Sequence, residues 1–309
     1  MTADITNPIF TNEAKARKHL ESLRWPDGPF CPHCGSTENI KKLEGKSHRL
    51  GLHQCNSCRE HFTVTVGTLF ERSHIPLHKW LLAFHLMSAS KKGISSHQLH
   101  RMLGITYKTA WFMTHRIREA MKTTYNRPMG GFGRVVEADE TFFGNKPGVK
   151  KRAGYHHKEK IFSLVERNGK ARSFHVEQVN ARNLKPLIRL NVRRDTHIMT
   201  DEHSAYKGLG NRFLSHESVR HTAKEYVRGN AHTNTVEGFF SILKRGLIGT
   251  YHHVGSQHLA RYMSEFDFRY NNRTALGVSD SERTDKALMG IEGKRLTYRR
   301  IDAEVEKTP

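Results

Sequence analysis

The chain has 309 residues, 36% hydrophobic and 9% aromatic, enough to bury a core in two or three domains and too apolar for wholesale disorder. Lys and Arg number 51 against 30 Asp and Glu, a formal net charge of +21, and a balance this basic points to a polyanionic partner. The first ten residues lack a basic stretch followed by an apolar one, and the most apolar helix candidate, residues 80–87, is short and contains His85, so neither a signal peptide nor a membrane span is expected. A soluble, intracellular protein is expected, and in a reducing compartment four cysteines suggest metal rather than disulfides.

Residues 11–24 read as a short helix with Ala14, Leu20 and Leu23 as apolar positions, stopped by Trp25-Pro26-Asp27-Gly28. A cysteine-bearing segment with short strands follows. Cys31-Pro32-His33-Cys34 and Cys55-Asn56-Ser57-Cys58 are two C-x2-C knuckles with 20 residues between them. Each knuckle turns two thiolates toward one point, and two knuckles complete the tetrahedron that Zn²⁺ accepts. All four ligand positions are filled, so the ion is structural. His33 and His53 lie nearby and read as neighbours of the site or as solvent-facing residues.

Residues 77–121 turn helical. Trp80, Leu81, Phe84 and Met87 fall at helical spacing, and Lys91-Lys92-Gly93 breaks the run. Ser95 or Ser96 can cap a second helix that ends at Leu103-Gly104, and Thr106 can cap a third. Residues 93–106 resemble the first helix and turn of a helix-turn-helix, with residues 107–121 as the recognition helix. Lys108, Thr109, His115, Arg116 and Arg118 are its candidate base or phosphate contacts. A plain three-helix bundle is the alternative. Residues 126–133, rich in Gly and Pro, read as a linker.

The period then becomes that of strands. Residues 134–143 form the first. Residues 160–166 and 171–179 flank Arg167-Asn168-Gly169, a hairpin signal. Residues 183–192 read as a helix despite Pro186, residues 196–200 as a short buried strand, and residues 234–246 and 259–270 as helices. Strands, a hairpin and helices in this order suggest a mixed sheet covered by helices.

Acids sit where such a sheet would bury them. The first strand carries Glu137, Asp139 and Glu140; alternation puts Glu137 and Asp139 on one face and Glu140 on the other. Asp201 ends the second buried strand, and Glu237 lies in the first turn of a helix, seven positions before Lys244 and so on nearly the same face. Two divalent cations flanking a scissile phosphate need carboxylates converging in this way, and hard oxygen ligands suit Mg²⁺ or Mn²⁺. Lys244 would bind phosphate, and Arg245 extends the basic edge to DNA. Each acid also has a plainer explanation: a wet strand face for Asp139, the cap of a helix starting at Glu202 for Asp201, and a capping box from Asn234 for Glu237.

Taken together, the blocks RWPDGP (24–29), GTLFERS (67–73), residues 111–118, VEADET (136–141), TDEHSAY (200–206) and HTNTVEGFFSILKRG (232–246) resemble the DDE transposases of bacterial insertion sequences, in the branch with an N-terminal zinc ribbon. The resemblance implies an α+β multidomain chain: an N-terminal helix (1–29), a zinc ribbon (30–73), a helix-turn-helix (74–128), a ribonuclease H-like mixed α/β core (131–285) and a tail (286–309). It implies Asp139, Asp201 and Glu237 as the triad, with Lys244 following. Some members of this branch use Asn at the third position, so Asn234 is the second candidate there. The implied chemistry is cleavage at terminal inverted repeats, then direct attack of the freed 3′-OH on target DNA, by a homo-oligomer that synapses two ends. A non-catalytic DNA-binding regulator derived from a transposase is the competing reading, and a ribonuclease H-like nuclease or resolvase that cuts without joining is a third.

Overall fold

A computed structural model of the chain describes residues 4–124, 127–146, 148–151 and 154–297. By contacts the chain forms two units. One comprises the residues up to Ser90, Ile94–Met121 and those from Ser279 on; the other comprises Lys91–Gly93 with Lys122–Val278. Among the described residues no helix is long and apolar enough to cross a membrane.

The first unit begins with α1 (Glu13–Arg24), opened by the Asn12 side chain, which accepts the Lys15 N–H at 3.0 Å. Its buried face is Ala16 and Leu20, whereas Ala14 is exposed. The strands β1 (Ile40–Leu43), β2 (Leu52–Cys55) and β3 (His61–Phe62) form a small antiparallel sheet in that order. Trp25, at the end of α1, lies edge-on to Phe62 at 5.9 Å and to His53 at 5.3 Å, so one aromatic cluster joins helix and ribbon. The helices α2 (Leu77–Ala89), α3 (Ser96–Leu103) and α4 (Tyr107–Met121) follow. Their punctuation is as the sequence predicts. Ser95 Oγ accepts the Gln98 N–H at 3.1 Å, Gly104 ends α3 at φ 59°, and Thr106 Oγ1 accepts the Thr109 N–H at 3.2 Å to open α4.

The second unit holds β4 (Val135–Phe143), β5 (Glu159–Glu166), β6 (Ala171–Val176), α5 (Ala181–Asn191), β7 (His197–Asp201), β8 (Ser215–Val219), α6 (Asn234–Gly249) and α7 (Ser256–Asn271). The sheet order is β6-β5-β4-β7-β8; β4, β5 and β6 pair antiparallel, while β4–β7 and β7–β8 are parallel. Parallel neighbours need a crossover, and α5 supplies it between β6 and β7. On one face Val136, Ala138, Phe162 and Leu164 pack with Leu184 and Ile188 of α5. On the other, Phe143, Ile161 and Val165 pack with Val236, Phe239 and Leu243 of α6 and with Leu259 and Met263 of α7. A Cβ on Gly246 would stand 2.2 Å from the Phe266 ring and 2.7 Å from the Lys92 carbonyl, so α6 approaches α7 closely only through a glycine. Three antiparallel strands continued by two parallel ones, with helices on both faces, make the ribonuclease H-like core that the sequence predicts. The strand β8 is absent from the sequence reading. The expected linker at 126–133 is partly core: Met129 is buried and bridges Val192, while Asn126 lies outside the described residues.

The last helix, α8 (Asp280–Met289), starts with a capping box between Ser279 and Glu282 and packs in the first unit. Thr284 Oγ1 lies 3.1 Å from His85 Nδ1 of α2, Arg283 donates to the Ser88 carbonyl at 3.2 Å, and Asp285 meets His19 of α1 at 2.9 Å. Beyond it, the Gly293 N–H donates to the Gly67 carbonyl at 3.0 Å. The sequence reading ends the core at residue 285 and leaves 286–309 as a tail; the contacts instead divide the chain between Val278 and Ser279 and give α8 to the N-terminal helices. Residues 298–309 of that expected tail lie outside the described residues.

Candidate active site and zinc centre

The register of β1 and β2 pairs Ile40 with Cys55 and so brings the second knuckle beside the first. Cys31 Sγ lies 3.6 Å from Cys58 Sγ, and Cys34 Sγ 3.7 Å from Cys55 Sγ. All four sulfurs fall within 4.8 Å of one another, the one such cluster of His, Cys, Asp or Glu among the described residues. A zinc tetrahedron with Zn–S near 2.3 Å has S–S edges of about 3.8 Å, so the thiols already stand at the spacing a structural zinc requires. The backbone N–H of Cys58 and, further down, those of Ser57 and the Cys34 thiol pull the Cys55 thiol down to about 6 against the cost of desolvation. His53 is buried with Nδ1 3.2 Å from the Gly51 carbonyl, so it packs against the ribbon without joining the four sulfurs.

In the core, β4 and β7 pair in parallel from Val135↔His197 to Glu137↔Met199. That offset of 62 residues also separates Asp139 from Asp201, so the two acids stand at matching positions on neighbouring strands, two past the last paired residue, Asp201 at the end of β7 and Asp139 in the middle of β4. Alternation holds as expected. Glu137, Asp139 and Phe143 share the face covered by α6 and α7, and Glu140 points to the other, where it accepts the buried Tyr206 hydroxyl at 2.5 Å. Burial first, then the charges of Glu140, Asp201 and Glu237, push the Asp139 carboxyl up to about 8, although its Oδ1 accepts the Glu140 N–H at 2.7 Å. Burial and the charge of Asp201 likewise raise Glu140, against the Tyr206 hydrogen bond. The charges of Glu140, Asp201 and Glu237 thus all act on the buried Asp139 carboxyl, each disfavouring its ionised form.

The capping alternatives take other forms than the sequence suggested. Asp201 Oδ1 accepts the His203 N–H at 3.0 Å, and the short 3-10 turn that follows starts at Ser204, capped by His203. The N-cap of α6 is Thr233, and Asn234 is its exposed first residue, so no capping box from Asn234 forms. Glu237 is half-exposed; it accepts the Thr233 hydroxyl at 2.7 Å and has His221 Nε2 at 3.8 Å. Lys244 and Arg245 are exposed two turns on, and Arg245 donates to Ser241 Oγ at 2.6 Å. Sequence reasoning missed Tyr206 and His221, whose approach depends on tertiary packing and leaves no spacing signal.

On α4 the structure corrects two of the five proposed contacts. His115 and Arg118 are each 1% exposed, and the His115 ring packs 4.3 Å from that of Trp111. Arg116 is partly buried, stacked 4.6 Å over Phe112 and donating to the Leu69 and Leu296 carbonyls at 2.8 and 3.3 Å. Lys108 is exposed and Thr109 partly so. Beside them stand the exposed His97 and Arg101 of α3 and Tyr107, with the His97 and Tyr107 rings stacked at 4.1 Å.

Comparison with known proteins agrees with this architecture. Residues 130–271 match the family described as the ISXO2-like transposase domain, and residues 11–61 match the transposase zinc-ribbon domain. An uncharacterized protein in the transposable element ISH50 of Halobacterium salinarum is 26% identical over 279 residues, 84% of this chain and 91% of that protein. Among solved structures, the chain aligns at 15% identity and TM-score 0.27 with a simian T-cell lymphotropic virus intasome in complex with a PP2A regulatory subunit. That match covers 56% of this chain and 63%, under two thirds, of the other. A pre-cleavage Mos1 transpososome aligns at 12% identity and TM-score 0.23, over 59% of this chain and 73% of the other. The two family matches stand in their expected order, so residues 11–61 are a transposase zinc-ribbon domain and residues 130–271, with the sheet that carries Asp139 and Asp201, an ISXO2-like transposase domain.

Proposed function

We propose that the protein binds the terminal inverted repeats of its own element and performs cleavage and strand transfer at the site of Asp139, Asp201 and Glu237. The observation that carries this reading is the placement of Asp139 in mid-β4 beside Asp201 at the end of β7, where burial and three neighbouring acids drive Asp139 up to about 8. A fold does not keep such repulsion without a compensating charge, and Mg²⁺ or Mn²⁺ would supply it. Two ions held there would polarise the scissile phosphate and lower the pKa of the attacking oxygen. Asp139, Asp201 and Glu237 are the proposed ligands, Asn234 is the alternative third donor, and Lys244 and Arg245 face the DNA backbone from the exposed side of α6. The first unit supplies the recognition surface: Lys108 and Thr109 of α4, joined by His97, Arg101 and Tyr107, with Arg116 left at its margin. The DNA partner requires two ends in one assembly, so a homo-oligomer forms on DNA.

The test uses the full chain, a duplex carrying the element's end, and the same duplex pre-cleaved. Asp139→Asn, Asp201→Asn and Glu237→Gln should each lower cleavage and joining by at least about 100-fold, with end binding nearly intact, because a neutral amide keeps the shape but loses the charge that holds metal. Mg²⁺ or Mn²⁺ should support activity and Ca²⁺ should not. Full activity in Glu237→Gln with loss in Asn234→Ala would move the third ligand to Asn234. Normal transposition by all three carboxylate variants would end the two-metal assignment.

A further inference from the structure

Glu137 lies two residues before Asp139 on the same face of β4, and it is 0% exposed. Its oxygens are fully engaged. Oε2 accepts the backbone N–H groups of Thr235 at 2.7 Å and Val236 at 2.9 Å. Oε1 accepts the Thr235 hydroxyl at 2.8 Å and Arg167 Nε at 2.6 Å, and lies 3.3 Å from His232 Nδ1. Arg167, at the tip of the β5–β6 hairpin, also donates to the His232 carbonyl at 3.0 Å.

The first N–H groups of a helix have no partner within the helix, and a side chain at the N-cap ordinarily accepts one of them. Thr233, the N-cap of α6, makes no such bond; its hydroxyl donates to Glu237. The cap comes from Glu137, 98 residues earlier on another element, and its negative charge suits the positive end of the helix dipole. Val236, held by that cap, is followed directly by Glu237. Glu137 is followed, two residues on, by Asp139. One carboxylate therefore fixes the positions of two others on separate elements.

We propose that Glu137 is a positioning residue that sets Glu237 against Asp139 by capping α6 from β4, and that Arg167 holds it in place. The proposal rests on the metal-site reading above. Glu137 itself is no ligand, since its lone pairs are taken by protein donors. Stability alone is a poor reason to keep it, because a buried ion pair often contributes little net free energy.

The experiment uses the full zinc-loaded chain without DNA and measures Mn²⁺ binding by calorimetry, with Asp139→Asn defining the signal from sites elsewhere. Glu137→Gln and Glu137→Asp should keep the circular dichroism and zinc content of the parent and bind Mn²⁺ about 10- to 100-fold more weakly, the usual cost of disturbing groups behind metal ligands. Strand transfer on a pre-cleaved end should show a similar drop in kcat, an unchanged KM for DNA, and partial recovery at raised Mn²⁺. Mere structural damage gives no such metal rescue. Parent-like Mn²⁺ affinity in folded Glu137→Gln overturns the proposal while leaving the metal site standing. If neither variant folds, Thr235→Val, which removes only the hydroxyl bond to Glu137, should show a smaller loss in the same direction, and parent-like affinity there overturns it equally. Parent-like Mn²⁺ binding by Asp139→Asn would instead remove the metal-site reading, and this proposal with it.

Discussion

At the scale of single residues, the charge state of Asp139 links stability to metal. Burial, Glu140, Asp201 and Glu237 raise its carboxyl to about 8 in the folded chain, whereas an unfolded aspartate titrates at about 3.9. Between those values the folded state holds a proton that the unfolded state lacks, so stability is highest below about pH 4 and falls as pH rises to about 8. With zinc retained and no other divalent ion added, the Tm contribution of this site should therefore decline between pH 5 and 8. Asp139→Asn should remove that decline and stabilise the folded chain at pH 8, by up to about 5 kcal/mol at about 1.4 kcal/mol per pKa unit. Mn²⁺ must displace the proton, so its affinity should rise with pH up to about 8, and calorimetry in two buffers of different ionisation enthalpy should show proton release at pH 7. An Asn variant no more stable than the parent at pH 8 would mean that the acids do not repel one another as the geometry implies.

At the scale of elements, what the sequence made legible was whatever depends on short spacing. The two knuckles, the caps Ser95 and Thr106, the hairpin at Asn168 and the alternation that separates Asp139 from Glu140 are all local patterns, and the structure has them. β8 and α8 were hidden for the opposite reason. The strand 215–219 has one fully buried residue, Val219, and no alternation to read, while α8 offers two buried apolar residues, Ala287 and Leu288, in ten. The burial of His115 and Arg118 was equally invisible, because a basic residue on a helix reads as surface until its packing partners are known. The ribbon is the element whose local pattern predicts most. Its strands have two to four residues each, too few to hold a sheet by backbone pairing, so the four thiolates and the Trp25 cluster carry it. One Zn²⁺ per chain should be found by elemental analysis. Its removal, or Cys55→Ser, should abolish hydrogen-exchange protection across residues 52–62 and leave protection in β4 and β5 unchanged, since a structural zinc contributes on the order of 10 kcal/mol to a segment this small. Protection retained in 52–62 without zinc would show that packing alone suffices.

At the scale of the whole molecule, the N-terminal unit is completed by the last part of the chain. Leu288 of α8 and Ile291 just beyond it are buried at 1% and 0%, and Gly290 sits so close to α4 that a Cβ there would meet the Ala120 carbonyl at 2.2 Å. Lys294 caps the end of α4 by donating to the Glu119 and Ala120 carbonyls at 2.9 and 3.2 Å. Residues 279–297 thus complete the packing of α2 and α4. A fragment of residues 1–121 loses the burial of two large apolar side chains, at about 1.5–3 kcal/mol each, against a total stability of about 5–15 kcal/mol for a domain. It also leaves an apolar face of α2 open to water. The fragment should unfold at a lower temperature and less cooperatively than the same fragment joined to residues 279–297 by a flexible Gly/Ser linker, and only the joined form should remain monomeric at high concentration. DNA carries the same comparison into function. The joined form should bind the element's end with an affinity that falls linearly in log–log against salt, with a slope of roughly −0.9 per phosphate neutralised, and the bare fragment should bind more weakly at every salt concentration. Equal melting temperatures and equal affinities for the two would show that α8 rides on the N-terminal unit without completing it.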